Sequence, residues 1–140
     1  MKTLVIFALL SVSMGAQGQK ATPRKATLAE QKACSEQAAK VFHEHFPDSG
    51  DATYTSHYDP EANLCYAYME QLKKRNGDTA HQIVIMDAFE NKGYAVFYAP
   101  SSTRAPTTCT VVPLGKKDGV DCASKAEFDA LVRRYHNLDN

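Results

Sequence analysis

The stretch LCYAYMEQLKKRNGDTAHQIVIM, residues 64–86, decides the fold. In Leu64–Leu72 alternate positions place Cys65, Ala67 and Met69 on one side and Tyr66 and Tyr68 on the other, the period-two pattern of a strand. Thr79–Met86 is centred on Ile83-Val84-Ile85, a β-branched run that suits the middle of a sheet. Between them Asn76-Gly77 fits the positive φ of a hairpin turn, within an expected connection, Lys73 to Asp78, longer than two residues. The reading is an antiparallel pair whose two faces differ in chemistry, each needing a cover.

More strands follow on either side. Upstream, Tyr54–Tyr58 alternates aromatic and polar residues and is closed by Asp59-Pro60. Downstream, Asn91-Lys92-Gly93 turns the chain into Tyr94–Tyr98, and Pro100 to Pro106 forms a loop. A last short strand, Thr108–Val112, carries Cys109, and a Gly-Lys-Lys-Asp-Gly turn brings the chain back to Cys122.

Helices bracket these strands. Thr27-Leu28-Ala29-Glu30 is a capping box, and the helix it opens runs to about Phe46, because Pro47 disfavours helical geometry in its predecessor. Cys34, Ala38, Val41, Phe42 and His45 recur at helical spacing and form its expected inner stripe. Ser124-Lys125-Ala126-Glu127 is a second box, followed by Phe128, Leu131, Val132 and Tyr135 at i, i+3, i+4 and i+7. The fold class is therefore α+β: an N-terminal helix, an antiparallel sheet of about five strands, a C-terminal helix and two disulfides.

Residues 1–18 read as a cleavable signal peptide, with Met1-Lys2 ahead of an apolar run from Leu4 to about Met14 and small residues near Ala16-Gln17-Gly18. Residues 19–26 read as a flexible arm and 27–140 as one domain. Removing residues 1–18 from the 140 leaves 122, enough for a real core. Fifteen basic residues then face sixteen acidic ones, a formal net charge of −1. That balance gives no electrostatic reason to expect nucleic acid or an anionic membrane, and no membrane anchor is expected after cleavage. A periplasmic or secreted location is expected.

Four cysteines, Cys34, Cys65, Cys109 and Cys122, lie beyond the leader and would meet an oxidising compartment. They permit three pairings. Cys109 and Cys122 flank a returning turn, while Cys34 on the helix stripe and Cys65 on the Ala67/Met69 face could staple helix to sheet, so Cys34–Cys65 with Cys109–Cys122 is favoured. No close-spaced pair suggests redox chemistry or zinc.

His43-Glu44-His45 resembles a metal site only on paper, since helical residues two apart point away from each other. No cofactor motif is seen, and glycine patterns for phosphates or dinucleotides are absent. His57 and His81 lie on expected strands, with Asp87 and Glu90 near the end of the third, so His57 with Asp87 or Glu90 is the candidate catalytic pairing of a small hydrolase-type enzyme. Lys116–Asp118 is the candidate loop of a secreted inhibitor. Tyr54 and Tyr58, Tyr66 and Tyr68, and Tyr94 and Tyr98 share strand faces pairwise, a candidate aromatic interaction surface. The alternative is that the second helix covers that face.

Tyr54-Thr55-Ser56-His57-Tyr58, Asn63-Leu64-Cys65-Tyr66, Asp87-Ala88-Phe89-Glu90 with Gly93-Tyr94-Ala95, and Cys109, Cys122 and Glu127-Phe128 resemble a group of small exported bacterial proteins without an assigned activity. The resemblance spans about Cys34 to Tyr135 and implies a bacterial envelope context and no reaction. The leading expectation is a non-catalytic binding or interaction module, its partner another envelope or extracellular protein.

Overall fold

The computed structural model describes residues 24–47, 50–75, 77–103 and 105–136. The expected leader and residues 19–23 lie outside the described residues. Helix α1 (Leu28–His45) is followed by β1 (Ala52–Asp59), β2 (Leu64–Arg75), β3 (Asp78–Asp87), β4 (Lys92–Pro100), β5 (Thr108–Val111), β6 (Val120–Asp121) and helix α2 (Lys125–His136). The strands form one antiparallel sheet in sequence order, β1 to β6, each joined to the next by a short return. The sheet has six strands where about five were expected. The extra one, β6, holds two residues, too few to show any periodicity.

Both helices begin where their caps predict. The Glu30 amide donates to Thr27 Oγ1 at 3.2 Å and the Thr27 amide to Glu30 Oε2 at 2.8 Å, the reciprocal box. At α2 the Glu127 amide donates to Ser124 Oγ at 3.2 Å, but the Glu127 carboxylate accepts from the amide of Ala123 at 2.7 Å instead of that of Ser124. The return reach extends one residue beyond the N-cap, so the box is not a reciprocal one. Of the expected α1 stripe, Cys34, Ala38, Val41 and Phe42 are buried, whereas His45 is exposed and lies 3.4 Å from Asn91 Oδ1. It sits in the last turn with its ring directed to the β3–β4 return, while the next residue, Phe46, takes the buried place at the end of the stripe.

The helices lie on opposite faces and on different halves of the sheet, α1 against β1 and β2, α2 against β4 and β5. Two cores result. On the α1 face Cys34, Ala38, Val41 and Phe42 pack on Tyr58, Cys65, Ala67, Met69 and Met86. On the α2 face Phe128, Val132 and Tyr135 pack on Tyr66, Ile83, Ile85, Phe97 and Val111. β3 contributes to both, Met86 to the first and Ile83 and Ile85 to the second, which is why its sequence is apolar on successive residues.

Both expected disulfides are formed. Cys34–Cys65 ties α1 to β2 with Cα atoms 5.3 Å apart, and Cys109–Cys122 closes the β5–β6 return at 5.1 Å. On the chain-entropy model loops of 31 and 13 residues stabilise by about 3–4 kcal/mol each.

The β2–β3 turn is tighter than expected. Arg75 pairs directly with Asp78, so two residues separate the strands, and Gly77 takes φ 83°. The register also slips between Ile85 and Met86, which face Ala95 and Gly93 respectively, leaving Tyr94 as an extra residue on β4.

Candidate functional site

That extra residue redistributes the tyrosines. Strict alternation would put Tyr94 on the same side as Tyr98. The bulge turns Tyr94 to the α2 face, against Tyr66 and Tyr135, while Tyr98 stays opposite Gln82 on the α1 side. The expectation that Tyr94 and Tyr98 share a face is thereby corrected. Tyr54 and Tyr58 do share one, the α1 face: Tyr54 stacks on Phe42 with centroids 4.7 Å apart, and the Tyr58 hydroxyl donates to Asn63 Oδ1 at 2.7 Å.

The open aromatic face expected of Tyr66 and Tyr68 is largely closed. Tyr66 is 2 % exposed beneath α2 and meets Tyr135 edge to face at 5.3 Å and Tyr94 at 6.0 Å. Tyr68 is half-buried beside it. Burial pushes the Tyr66 and Tyr94 phenols up, and that of Tyr68 up to about 12. Among the described residues the Tyr66 hydroxyl and Asp87 Oδ2 are buried without a hydrogen-bond partner. Such a group costs about 1–3 kcal/mol, comparable with the roughly 0.5–1.5 kcal/mol of one edge-to-face ring pair.

His57 and Asp87 are not brought together. Each pairs with Tyr66, one from β1 and one from β3, so Tyr66 stands between them and they are two strand spacings apart, roughly 10 Å. Asp87 is 1 % exposed, and its Oδ1 accepts from the amides of Phe89 at 3.0 Å and Cys65 at 3.3 Å. It shapes the β3–β4 turn. Glu90 is exposed in that turn, and His57 is half-buried on the sheet's edge strand. Lys116, Lys117 and Asp118 are exposed in the return between β5 and β6, which the Lys116 amide closes onto Pro113 O at 2.9 Å.

The histidine that does meet a carboxylate is His81. Its Nε2 lies 2.5 Å from Glu70 Oε1, across the β2–β3 pair on the α2 face. Sequence reasoning placed His81 on a strand without giving it a partner. The available signal was the hairpin register: once only two residues separate the strands, Leu72 falls opposite His81 and Glu70 becomes its diagonal neighbour.

Beside this pair, past the start of α2, lies a cavity of about 370 Å³. Leu72, Phe97, Ala99, Pro100 and Pro106 supply apolar walls; His81, Ser101, Ser124 and Lys125 supply polar atoms. Leu72, on the same α2 face as His81, is 52 % exposed. His81 meets Phe97 edge to face at 5.8 Å, and Lys125 is held by Asp129 at 2.6 Å.

The loop that walls the cavity is fixed by its own hydrogen bonds. Asp78 accepts from the hydroxyls of Ser101 and Ser102, and these bonds hold its carboxyl below the usual carboxylate range. The Ser101 amide donates to Thr79 O at 2.7 Å, and Thr103 Oγ1 donates to Pro100 O and Ala105 O. A wall tied at both ends is a preformed one.

A small α+β domain with a six-stranded antiparallel sheet and two disulfides is the class these features define. Comparison with known protein families, curated proteins and solved structures finds no match. Among the described residues no helix is long and apolar enough to cross a membrane, and no three His, Cys, Asp or Glu side chains gather as a metal site would need.

Proposed function

We propose that the protein is an exported bacterial, non-catalytic binding module that acts in the periplasm or outside the cell after its leader, residues 1–18, is removed. Its site is the cavity beside His81 and Glu70. Its ligand has an apolar body and one hydrogen-bond-accepting head group, supplied by an envelope or extracellular partner. The observation that carries this reading is the preformed cavity of about 370 Å³, apolar in its walls and edged by hydroxyl and amino donors, with no acidic side chain lining it. Export is supported by the paired cysteines, which persist in oxidising compartments, and by the apolar run behind Lys2.

A panel of alkyl and aryl monocarboxylates, read by melting temperature, tests the site. At least one member raises the transition of the wild type and leaves Leu72→Glu unmoved, because the new carboxylate occupies and charges the mouth. Equal shifts in both proteins contradict the assignment.

One observation favours a second reading, a small hydrolase-type enzyme. A histidine held 2.5 Å from a glutamate has the base-and-orienter arrangement of acid–base sites. It would use His81 with Glu70 in place of His57 with Asp87 or Glu90. Loss of turnover with retained binding in His81→Gln would favour it.

A further inference from the structure

The two disulfides sit in unlike surroundings. Cys34 and Cys65 are 1 % and 0 % exposed between α1 and β2, even though Cys34 borders a surface groove beside β1. Cys109 is 7 % exposed, but its partner Cys122 is half-buried, the least covered of the four. A thiol in solution therefore has a side from which to approach Cys109–Cys122, whereas the other bond is sealed by the helix it holds.

Cys122 also stands just ahead of the cavity wall. Ser124 and Lys125, which line the cavity beside His81, follow it in the chain after Ala123. From Ala123 to Glu127 every residue is exposed or half-buried, and the first buried anchor of α2 is Phe128. Apart from the disulfide, this segment is tied to the sheet by light contacts. They are the two-residue β6, exposed at both positions, the Cys122 amide donating to Cys109 O at 2.9 Å, and Thr110 Oγ1 donating to Asp121 Oδ1 at 2.9 Å. Phe128, Val132 and Tyr135 hold the body of the helix independently, through their packing on the sheet.

We propose that Cys109–Cys122 is a redox latch on the cavity wall: a dithiol opens it while Cys34–Cys65 stays closed, and opening loosens the chain from β6 to the first turn of α2. One thiolate of the dithiol attacks Cys122 Sγ, the disulfide breaks, and Cys109 leaves as a thiolate that takes up a proton. The second thiol of the reductant then attacks the mixed disulfide, closes the reductant into its own disulfide and releases Cys122 as a thiol. Two electrons and two protons pass to the cysteine pair. With the bond open, Ser124 and Lys125 hang between light contacts on one side and Phe128 on the other, and that wall of the cavity is no longer preformed. The latch takes its purpose from the binding role proposed for the cavity, while its chemistry and local opening require no ligand.

The protein is treated with dithiothreitol near neutral pH, thiols are trapped by alkylation at intervals, and the labelled peptides are mapped by mass. Cys109 and Cys122 are alkylated roughly tenfold faster or more than Cys34 and Cys65. In the protein with only that bond open, hydrogen exchange at the amides of Cys122 and Phe128 quickens by roughly tenfold or more, while Ile83 and Ile85 of β3 keep their protection. Cys109→Ser combined with Cys122→Ser, which carries no alkyl adduct, reproduces this exchange pattern and still melts cooperatively. Opening of Cys34–Cys65 first, or at the same rate, overturns the proposal. So does selective opening without faster exchange at Cys122 and Phe128. Loss of the fold in the double variant overturns it too, because the packing of α2 has to hold without the bond. No ligand enters these measurements, so their failure leaves the binding role standing, and failure of the monocarboxylate panel leaves the latch standing.

Discussion

Glu70 and His81 sit diagonally across the β2–β3 hairpin with Oε1 and Nε2 2.5 Å apart. A two-residue turn sets that geometry, and both side chains are roughly one-third exposed. A contact that exposed adds little stability, of order 0–1 kcal/mol, so its consequence is orientation. With one ring nitrogen engaged by the carboxylate, the ring is fixed at the wall of the cavity formed with Leu72 and Phe97. Glu70→Ala is expected to shift the melting temperature by no more than a few degrees while weakening ligand binding clearly. A large fall in melting temperature would make the pair structural instead.

The turn itself is a second test. Gly77 takes φ 83°, a region in which a side chain costs roughly 1–2 kcal/mol. A Cβ there would meet no atom within 4 Å, so the cost of Gly77→Ala is purely conformational. Denaturant unfolding should give a destabilisation of about that size. A neutral result would mean that the hairpin is set by pairing alone.

The staple between α1 and β2 contributes through the unfolded chain. Replacing Cys34 and Cys65 together by alanine is expected to cost about 3–4 kcal/mol, which against a typical total of about 5–15 kcal/mol lowers the transition by many degrees. Loss of less than about 1 kcal/mol would show that packing of Ala38, Val41 and Phe42 alone holds α1 in place.

Alkaline pH should weaken the fold. Tyr68 has its phenol raised from 10.0 to about 12 and Tyr66 is raised further, both chiefly by burial. A raised acid keeps its full contribution below the unfolded value and loses it as pH climbs toward the folded one. Stability is therefore flat up to about pH 10 and falls between there and about pH 12, through the Tyr68 window. Absorbance of tyrosinate should appear in two stages, exposed phenols first and the α2-covered ones on unfolding. A single titration at the ordinary value would contradict the covered placement of Tyr66.

The helix starts, the five main strands and the cysteine pairing were legible because each rests on local signals: capping boxes, period-two runs and turn residues. The arrangement of the tyrosines was not. One inserted residue at Tyr94 reverses the side on which it points, and no local pattern announces a bulge. His45 was misplaced because helical spacing does not show that Phe46, the C-cap with non-helical backbone, takes the buried place at the end of the stripe. The His81–Glu70 pair depended on the exact register of one hairpin. A connection read as Lys73 to Asp78 hides it, and a separation of two residues reveals it.

Native mass spectrometry of the protein purified gently from its own compartment addresses the binding site directly. The account predicts a non-covalent adduct of small-molecule or short-peptide mass on the wild type, removed by Leu72→Glu and weakened by Glu70→Ala. An adduct retained undiminished in Leu72→Glu, or a wild type that stays bare when the same material is added back in excess, would contradict it.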